Sequence, residues 1–300
     1  MSVEYASFLS SFLEFLRSER RYSPKTLNAY QTDLSQFFSF ISDGYSEQDV
    51  KNIKAFHIKN WMYALLSDEQ LSKRSVSRKL VSINTFYKYL IRSGEVEINP
   101  ASAIQGPKLE KRLHSWIPEN DIVGILDHTE WGVDFYGLRN KLIIELLYGT
   151  GIRLAELISL ETSRVYLQEG SIKVLGKRNK ERIVPANKSL IYLIETYIEA
   201  KKEKGWEQSQ TLLLTDKGGP LYPMFVQRCV KRFITTASAN QKVSPHTLRH
   251  TFATHLLNKG ADINAIKELL GHSSLAATQI YTHNSIDRLK NIYKQSHPKG

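Results

Sequence analysis

Cysteine is almost missing from this chain: Cys229 is the single one among 300 residues. One thiol cannot form a disulfide within the chain, and it cannot build a zinc site on thiolates. No stretch approaches the ~20 consecutive apolar residues that cross a bilayer, and the start, Met1-Ser2-Val3-Glu4-Tyr5, lacks a basic segment followed by an apolar run. No signal peptide is therefore expected, and the chain reads as a soluble, cytoplasmic protein of a reducing compartment with no membrane partner. It also lacks internal repeats and low-complexity segments. Acidic residues are in deficit, 30 against 41 Lys and Arg, for a formal net charge of +11. A basic surface of that size attracts polyanions, nucleic acid foremost, although acidic proteins and membrane surfaces fit charge alone.

A chain of this length usually makes two domains. Phe8, Leu9, Phe12, Phe15 and Leu16 recur at helical spacing. Ser23-Pro24 opens a second helix as cap and first residue, carrying Leu27, Tyr30, Leu34, Phe37, Phe38 and Ile41. A third runs from about Ala55 to Leu66, and a fourth follows Ser72 and stops near Gly94. These predict a helical bundle over 1–98. Asn99-Pro100, Gly106-Pro107 and the basic Lys108, Lys111 and Arg112 mark 99–115 as a linker. The remainder, 116–300, reads as helices with one exception: two short strands, Ser171–Gly176 and Glu181–Pro185, joined by a very basic turn. The fold class is thus mainly α, with a small β-hairpin in the second domain.

The chemistry concentrates near the C-terminus. Ser244-Pro245-His246-Thr247-Leu248-Arg249-His250 is followed by Leu269-Leu270-Gly271-His272 and by Thr278-Gln279-Ile280-Tyr281-Thr282-His283. Upstream stands Gly149-Thr150-Gly151-Ile152-Arg153-Leu154-Ala155-Glu156-Leu157. Cutting and rejoining a phosphodiester requires a nucleophile, charge on the non-bridging oxygens, an acid for the leaving 5′-oxygen, and positioning. Arg153 and Arg249 offer two guanidinium forks for phosphate without a metal; either alone reads first as a surface ion pair. Lys177 or Lys180 in the hairpin turn can deliver a proton, with Arg178 and Arg182 as like-charge neighbours that favour its release. Charge alone does not choose between the two lysines. His246 and His272 can donate to phosphate or exchange a proton, with His250, His255 and His283 as competitors. Metal ligation by these histidines lacks a carboxylate partner at suitable spacing, so no metal and no cofactor is expected. Tyr281 is the candidate nucleophile among 15 tyrosines, singled out only by the pattern around it.

These boxes resemble the tyrosine recombinases, the phage integrase family, over nearly the whole chain, and most closely the Xer type, nearer its XerC-like than its XerD-like branch. The resemblance assigns catalytic roles to Arg153, Lys177 (from Gly176-Lys177-Arg178-Asn179-Lys180-Glu181-Arg182), His246, Arg249, His272 and the nucleophile Tyr281. Ser23-Pro24-Lys25-Thr26-Leu27-Asn28-Ala29-Tyr30 resembles part of the family's SAM-like core-binding domain. Asn140 departs from the aspartate common in relatives. The resemblance implies cleavage through a 3′-phosphotyrosyl link, a Holliday junction, and a homo- or hetero-tetramer on double-stranded DNA carrying a specific recombination site. It also implies a second Xer recombinase and a DNA translocase of the FtsK type as partners, and chromosome-dimer resolution at cell division as the role. An amphipathic segment from Ser285 to Tyr293 is expected to dock on a neighbouring protomer. Lys25, Lys73, Arg74, Arg78 and Lys79, with Arg20 and Arg21 nearby, are the candidate DNA-binding residues. The competing readings are a mobile-element integrase of the same family, a relaxing topoisomerase, and a DNA-binding protein without catalysis.

Overall fold

The computed structural model describes residues 3–109, 116–176, 180–234, 243–271 and 291–298. The chain divides into two compact units, Met1–Arg112 and Leu113–Gly300.

The first unit is built from α1 (Val3–Ser18), α2 (Pro24–Tyr45), α3 (Ala55–Ser67) and α4 (Lys73–Arg92). Serines start two of them: the hydroxyls of Ser23 and Ser72 accept from the backbone N–H groups of Thr26 and Ser75. The apolar faces meet in an aromatic core. Tyr5 stacks on Phe38 with ring centroids 4.4 Å apart, and Phe12 meets Phe86 edge-on at 5.4 Å. The buried hydroxyls of Tyr5 and Tyr87 stay satisfied by donating to the carbonyls of Glu47 and Val50. Packing continues past residue 98. Ala101 is buried in this core, Ile104 packs against it, and the Asn99 side chain bonds Asn84 Oδ1 at 2.7 Å. The first part of the expected linker is thus bundle.

Asp33 of α2 is fully buried and ties that helix to α4. It accepts from both Nη atoms of Arg78, from Lys79 Nζ at 3.2 Å and from Ser82 Oγ at 2.8 Å. Lys79 also donates to Gln36 and lies 5.6 Å from the Trp61 ring centroid. An unpaired buried charge is costly. Asp33→Asn should therefore destabilise this unit by roughly 3 kcal/mol, read as a lower urea midpoint, with the second unit's transition unmoved.

The second unit contains α5 (Glu119–His128), α6 (Phe135–Thr150), α7 (Leu154–Ile158), β1 (Val165–Tyr166), β2 (Ser171–Leu175), β3 (Glu181–Pro185), α8 (Lys188–Glu203), α9 (Pro223–Ile234), α10 (Pro245–Asn258) and α11 (Ile263–Leu270). The strands form an antiparallel sheet in the order β1-β2-β3, with Leu175 opposite Glu181 and Val174 opposite Arg182. Helix α6 is the spine. Every residue from Leu142 to Thr150 is buried, as expected of a helix wrapped on all sides, and α8, α9 and α10 pack around it. It ends at Gly151 in the left-handed region, φ 61°, where a Cβ would lie 2.5 Å from the Phe252 ring.

A smaller apolar cluster joins α10, α11 and residues 291–296, which are helical. Tyr293 is buried there, its ring stacked on His297 at 4.8 Å, and His297 lies 5.0 Å from the Tyr148 ring. In this single chain these residues of the tail pack on their own domain; Ile286 and Leu289 of the expected amphipathic segment lie outside the described residues. Among the described residues, no helix is long and apolar enough to cross a membrane.

Candidate active site

Three arginines converge on one helix end. α11 stops at Gly271 (φ 64°), leaving its last carbonyls without helical partners. Leu269 O accepts from Arg182 Nε at 2.8 Å, Leu270 O from Arg249 Nη2 at 2.6 Å, and Gly271 O from Arg153 Nη2 at 3.0 Å. The negative end of the helix dipole favours cations here. The next residue in the chain is His272.

One carboxylate organises two of the three. Glu156, on α7, accepts from the Arg153 backbone N–H at 2.7 Å and from Arg153 Nη1 at 2.7 Å. It also accepts from Arg182 Nη1 and Nη2 at 2.9 and 2.8 Å. Burial alone would push the Glu156 carboxyl up; the hydrogen bonds and charges of Arg182 and Arg153 outweigh it and hold the group at about 2. Among the described residues, Arg249 makes no ion pair with a carboxylate. Its Nη1 donates to Gly151 O at 2.5 Å, and burial, with Arg153 and Arg182 nearby, lowers it to about 10, so it stays cationic at neutral pH. Three guanidinium charges facing one carboxylate leave a net positive site, which suits an anion.

The local sequence explains these placements. Arg153 caps the short α7 two residues after the left-handed Gly151 that ends α6, so its side chain departs close to the end of the spine. Its side chain is 32% exposed, against 5% for Arg182, making it the more open of the two. Ser244 and Thr247 form a reciprocal cap at the start of α10, with Pro245 in the first turn. His246 is exposed in that turn and Arg249 is buried three residues on, a spacing that puts both on neighbouring positions of one helix face.

Of the sequence-derived catalytic set, the structure brings Arg153 and Arg249 together on adjacent carbonyls and puts His246 one turn before Arg249. Lys177, His272 and Tyr281 lie outside the described residues. Their chain neighbours do not: Gly176 N donates to Lys180 O at 2.7 Å, and a Cβ on Gly176 would sit 3.6 Å from Glu156 Oε1. The base of the hairpin thus adjoins Glu156.

Several expectations change. Arg182, expected as a like-charge neighbour of the turn lysine, is buried and neutralised by Glu156. His255 is buried between Tyr148 OH and Ile117 O, at 3.0 Å from each, and its desolvation lowers its pKa. Its ring ties α10 to Tyr148 of α6 and to the backbone at Ile117. Lys79 is buried on Asp33 and Gln36, so it is no exposed phosphate donor, and Arg78, half-exposed, spends its fork on the same Asp33. Lys25, Lys73 and Arg74 are exposed, in the first turns of α2 and α4.

Sequence reasoning gave no role to Glu156, although it stands in the same box as Arg153. It also passed over α9, where Gln227, Arg228 and Lys231 are exposed at helical spacing and Arg228 Nη2 donates to Tyr222 OH at 2.6 Å.

The phage integrase family pattern matches residues 115–288, and the phage integrase N-terminal SAM-like domain matches residues 9–94. The tyrosine recombinase XerC of Pelobacter propionicus is 39% identical over 97% of this chain and 95% of its own length. That of Chlorobaculum parvum is 37% identical over 99% and 96%. The structure of the XerH site-specific recombinase on a palindromic difH substrate, a post-cleavage complex, superposes with a TM-score of 0.72 at 23% identity, covering 94% of this chain and 82% of that one; it speaks to the fold. The chain belongs to the phage integrase family, within which it is an Xer-type tyrosine recombinase, an enzyme that cleaves and rejoins DNA at specific sites.

Proposed function

We propose that this chain is a cytoplasmic chromosome-dimer resolvase, acting on double-stranded DNA that carries one specific recombination site. The observation that carries the chemistry is the convergence of Arg153, Arg182 and Arg249 on the end of α11, one residue before His272. Arg153 and Arg249 neutralise the non-bridging oxygens of the scissile phosphate, where preorganised charge is worth most. Tyr281 Oη attacks phosphorus and the bond to the 5′-oxygen breaks. The phenolic proton passes to His246 or His272, and Lys177 gives a proton to the departing 5′-oxygen. The 3′-phosphotyrosyl link conserves the bond energy, so the 5′-hydroxyl of a partner strand reverses the step without a nucleotide or a metal.

Four protomers, of this chain alone or with a second Xer recombinase, exchange strands through a Holliday junction. A translocase of the FtsK type is the partner that fits control at cell division. The relatives' XerC names support this role over that of a mobile-element integrase. A plasmid carrying two directly repeated host resolution sites tests it: the protein, with its partner recombinase, should resolve the plasmid into two circles. A plasmid left intact while the integration site of a mobile element recombines would move the assignment to an integrase.

Duplex contact is assigned to Lys25, Lys73 and Arg74, with Arg78 sharing its charge with Asp33, and to the exposed face of α9. Cations in a helix's first turn oppose its dipole; a phosphate placed against them relieves that conflict. Reversing Lys73 and Arg74 to glutamate should weaken duplex binding and flatten the logarithmic salt slope by about 2. An unchanged slope in a salt titration would take both residues out of the interface.

A further inference from the structure

We propose that Arg182 is a positioning residue for strand cleavage, fixing through Glu156 and the end of α11 the places of Arg153, Gly176 and Gly271, the last two being the residues before Lys177 and His272. This role rests on the proposed function. Arg182 lies on β3 in the inward-facing register, opposite Val174, and is 4% exposed. Each of its nitrogens already donates to the protein, two to Glu156 and one to Leu269 O. It is therefore built to orient other groups and leaves contact with DNA to them.

Two glycines close on this side chain from opposite elements. A Cβ on Gly271, whose φ is 64°, would lie 3.1 Å from Arg182 Cδ and 3.3 Å from Nη1. A Cβ on Gly176 would lie 3.8 Å from Arg182 Nη1 and 3.6 Å from Glu156 Oε1. Gly271 immediately precedes His272, and Gly176 immediately precedes Lys177. Glu156, the carboxylate Arg182 grips, also holds both the backbone N–H and a guanidinium nitrogen of Arg153. One planar group, donating from all three of its nitrogens, thus ties the Arg153 anchor to the residues that precede Lys177 and His272. A lysine in its place keeps the charge but cannot span the carboxylate and the Leu269 carbonyl together.

The test is single-turnover formation of the covalent adduct on a nicked duplex bearing the recombination site, at saturating protein, with duplex affinity and thermal unfolding measured alongside. Arg182→Lys should slow adduct formation by roughly 100-fold, the order expected for ångström-scale misplacement, with the dissociation constant unchanged within about 3-fold. A second variant replaces the buried pair by an apolar one, Arg182→Met with Glu156→Met, a change such pairs often tolerate in folding. It should fold, bind the duplex and be at least as slow. Full rates in either folded variant, or a deficit that vanishes as protein concentration rises, would overturn the role. An unmodified chain that forms no adduct would overturn the proposed function and this role with it. An unmodified chain that reacts beside an equally fast Arg182→Lys overturns the role alone.

Discussion

Replacing Arg249 by lysine should slow strand cleavage by roughly 10²–10³-fold, the loss typical of one preorganised donor, while duplex affinity stays within a few-fold. Arg249 is buried on α10 and bridges two elements, with Nη1 on Gly151 O and Nη2 on Leu270 O. Those two bonds fix the plane of the guanidinium and so the direction of its remaining N–H groups. A lysine ammonium is a point charge on a flexible stem and cannot occupy both carbonyls while facing a phosphate. It would also strand one carbonyl inside the protein. The loss is expected in the reaction step because the proposed duplex contacts are Lys25, Lys73 and Arg74, which are exposed while Arg249 is buried. Single-turnover cleavage beside equilibrium binding separates the two; a matched loss of both would make Arg249 a general DNA contact.

The second large effect is on stability. Glu156→Gln should destabilise the catalytic unit by about 3 kcal/mol at pH 7, the linkage value of a carboxyl held at about 2 against the usual 4.5. The amide leaves Arg182 as a buried cation without its counter-charge. The pH dependence has a definite sign. The folded carboxyl titrates lower than the unfolded one, so its contribution is complete above about 4.5 and disappears as pH falls through about 2. The stability gap between wild type and variant should thus be flat from pH 8 to 5 and shrink to about 2 kcal/mol at pH 3.5. Urea unfolding at these pH values measures it. A gap that grows on acidification would contradict the ion-pair account.

Much of the fold was open to sequence reasoning because its signals are local. Ser23-Pro24 and Ser72 mark helix starts through caps within three residues, and the hairpin is bracketed by apolar alternation and a basic turn. The two-residue β1 and the short helix Thr162–Arg164 are too brief to carry any period. The extent of the first unit was hidden for another reason: Ala101 is buried by residues far away in sequence.

The site divides in the same way. Arg153 and Arg249 stand in boxes whose combined spacing is specific. Lys79 and Arg74 look alike in a list of charges, and only Asp33, more than forty residues earlier, decides that one is buried and the other free to meet a phosphate. Arg182 reads as one more cation beside a basic turn. A legible clue was its place two residues before Val184, which puts both on the inward face of β3. A buried arginine needs acceptors or a counter-charge for its fork, and for Arg182 Glu156 supplies both.

In the proposed reaction this arginine-rich centre activates a phosphate for attack by Tyr281. The direct measurement is to incubate the protein with a nicked duplex carrying the host resolution site, resolve the products under denaturing conditions, and map any protein–DNA adduct by peptide mass. The account predicts an adduct on Tyr281 that is absent from Tyr281→Phe and strongly reduced in Arg249→Lys. An adduct that persists in Tyr281→Phe, or that maps to another residue, would contradict it.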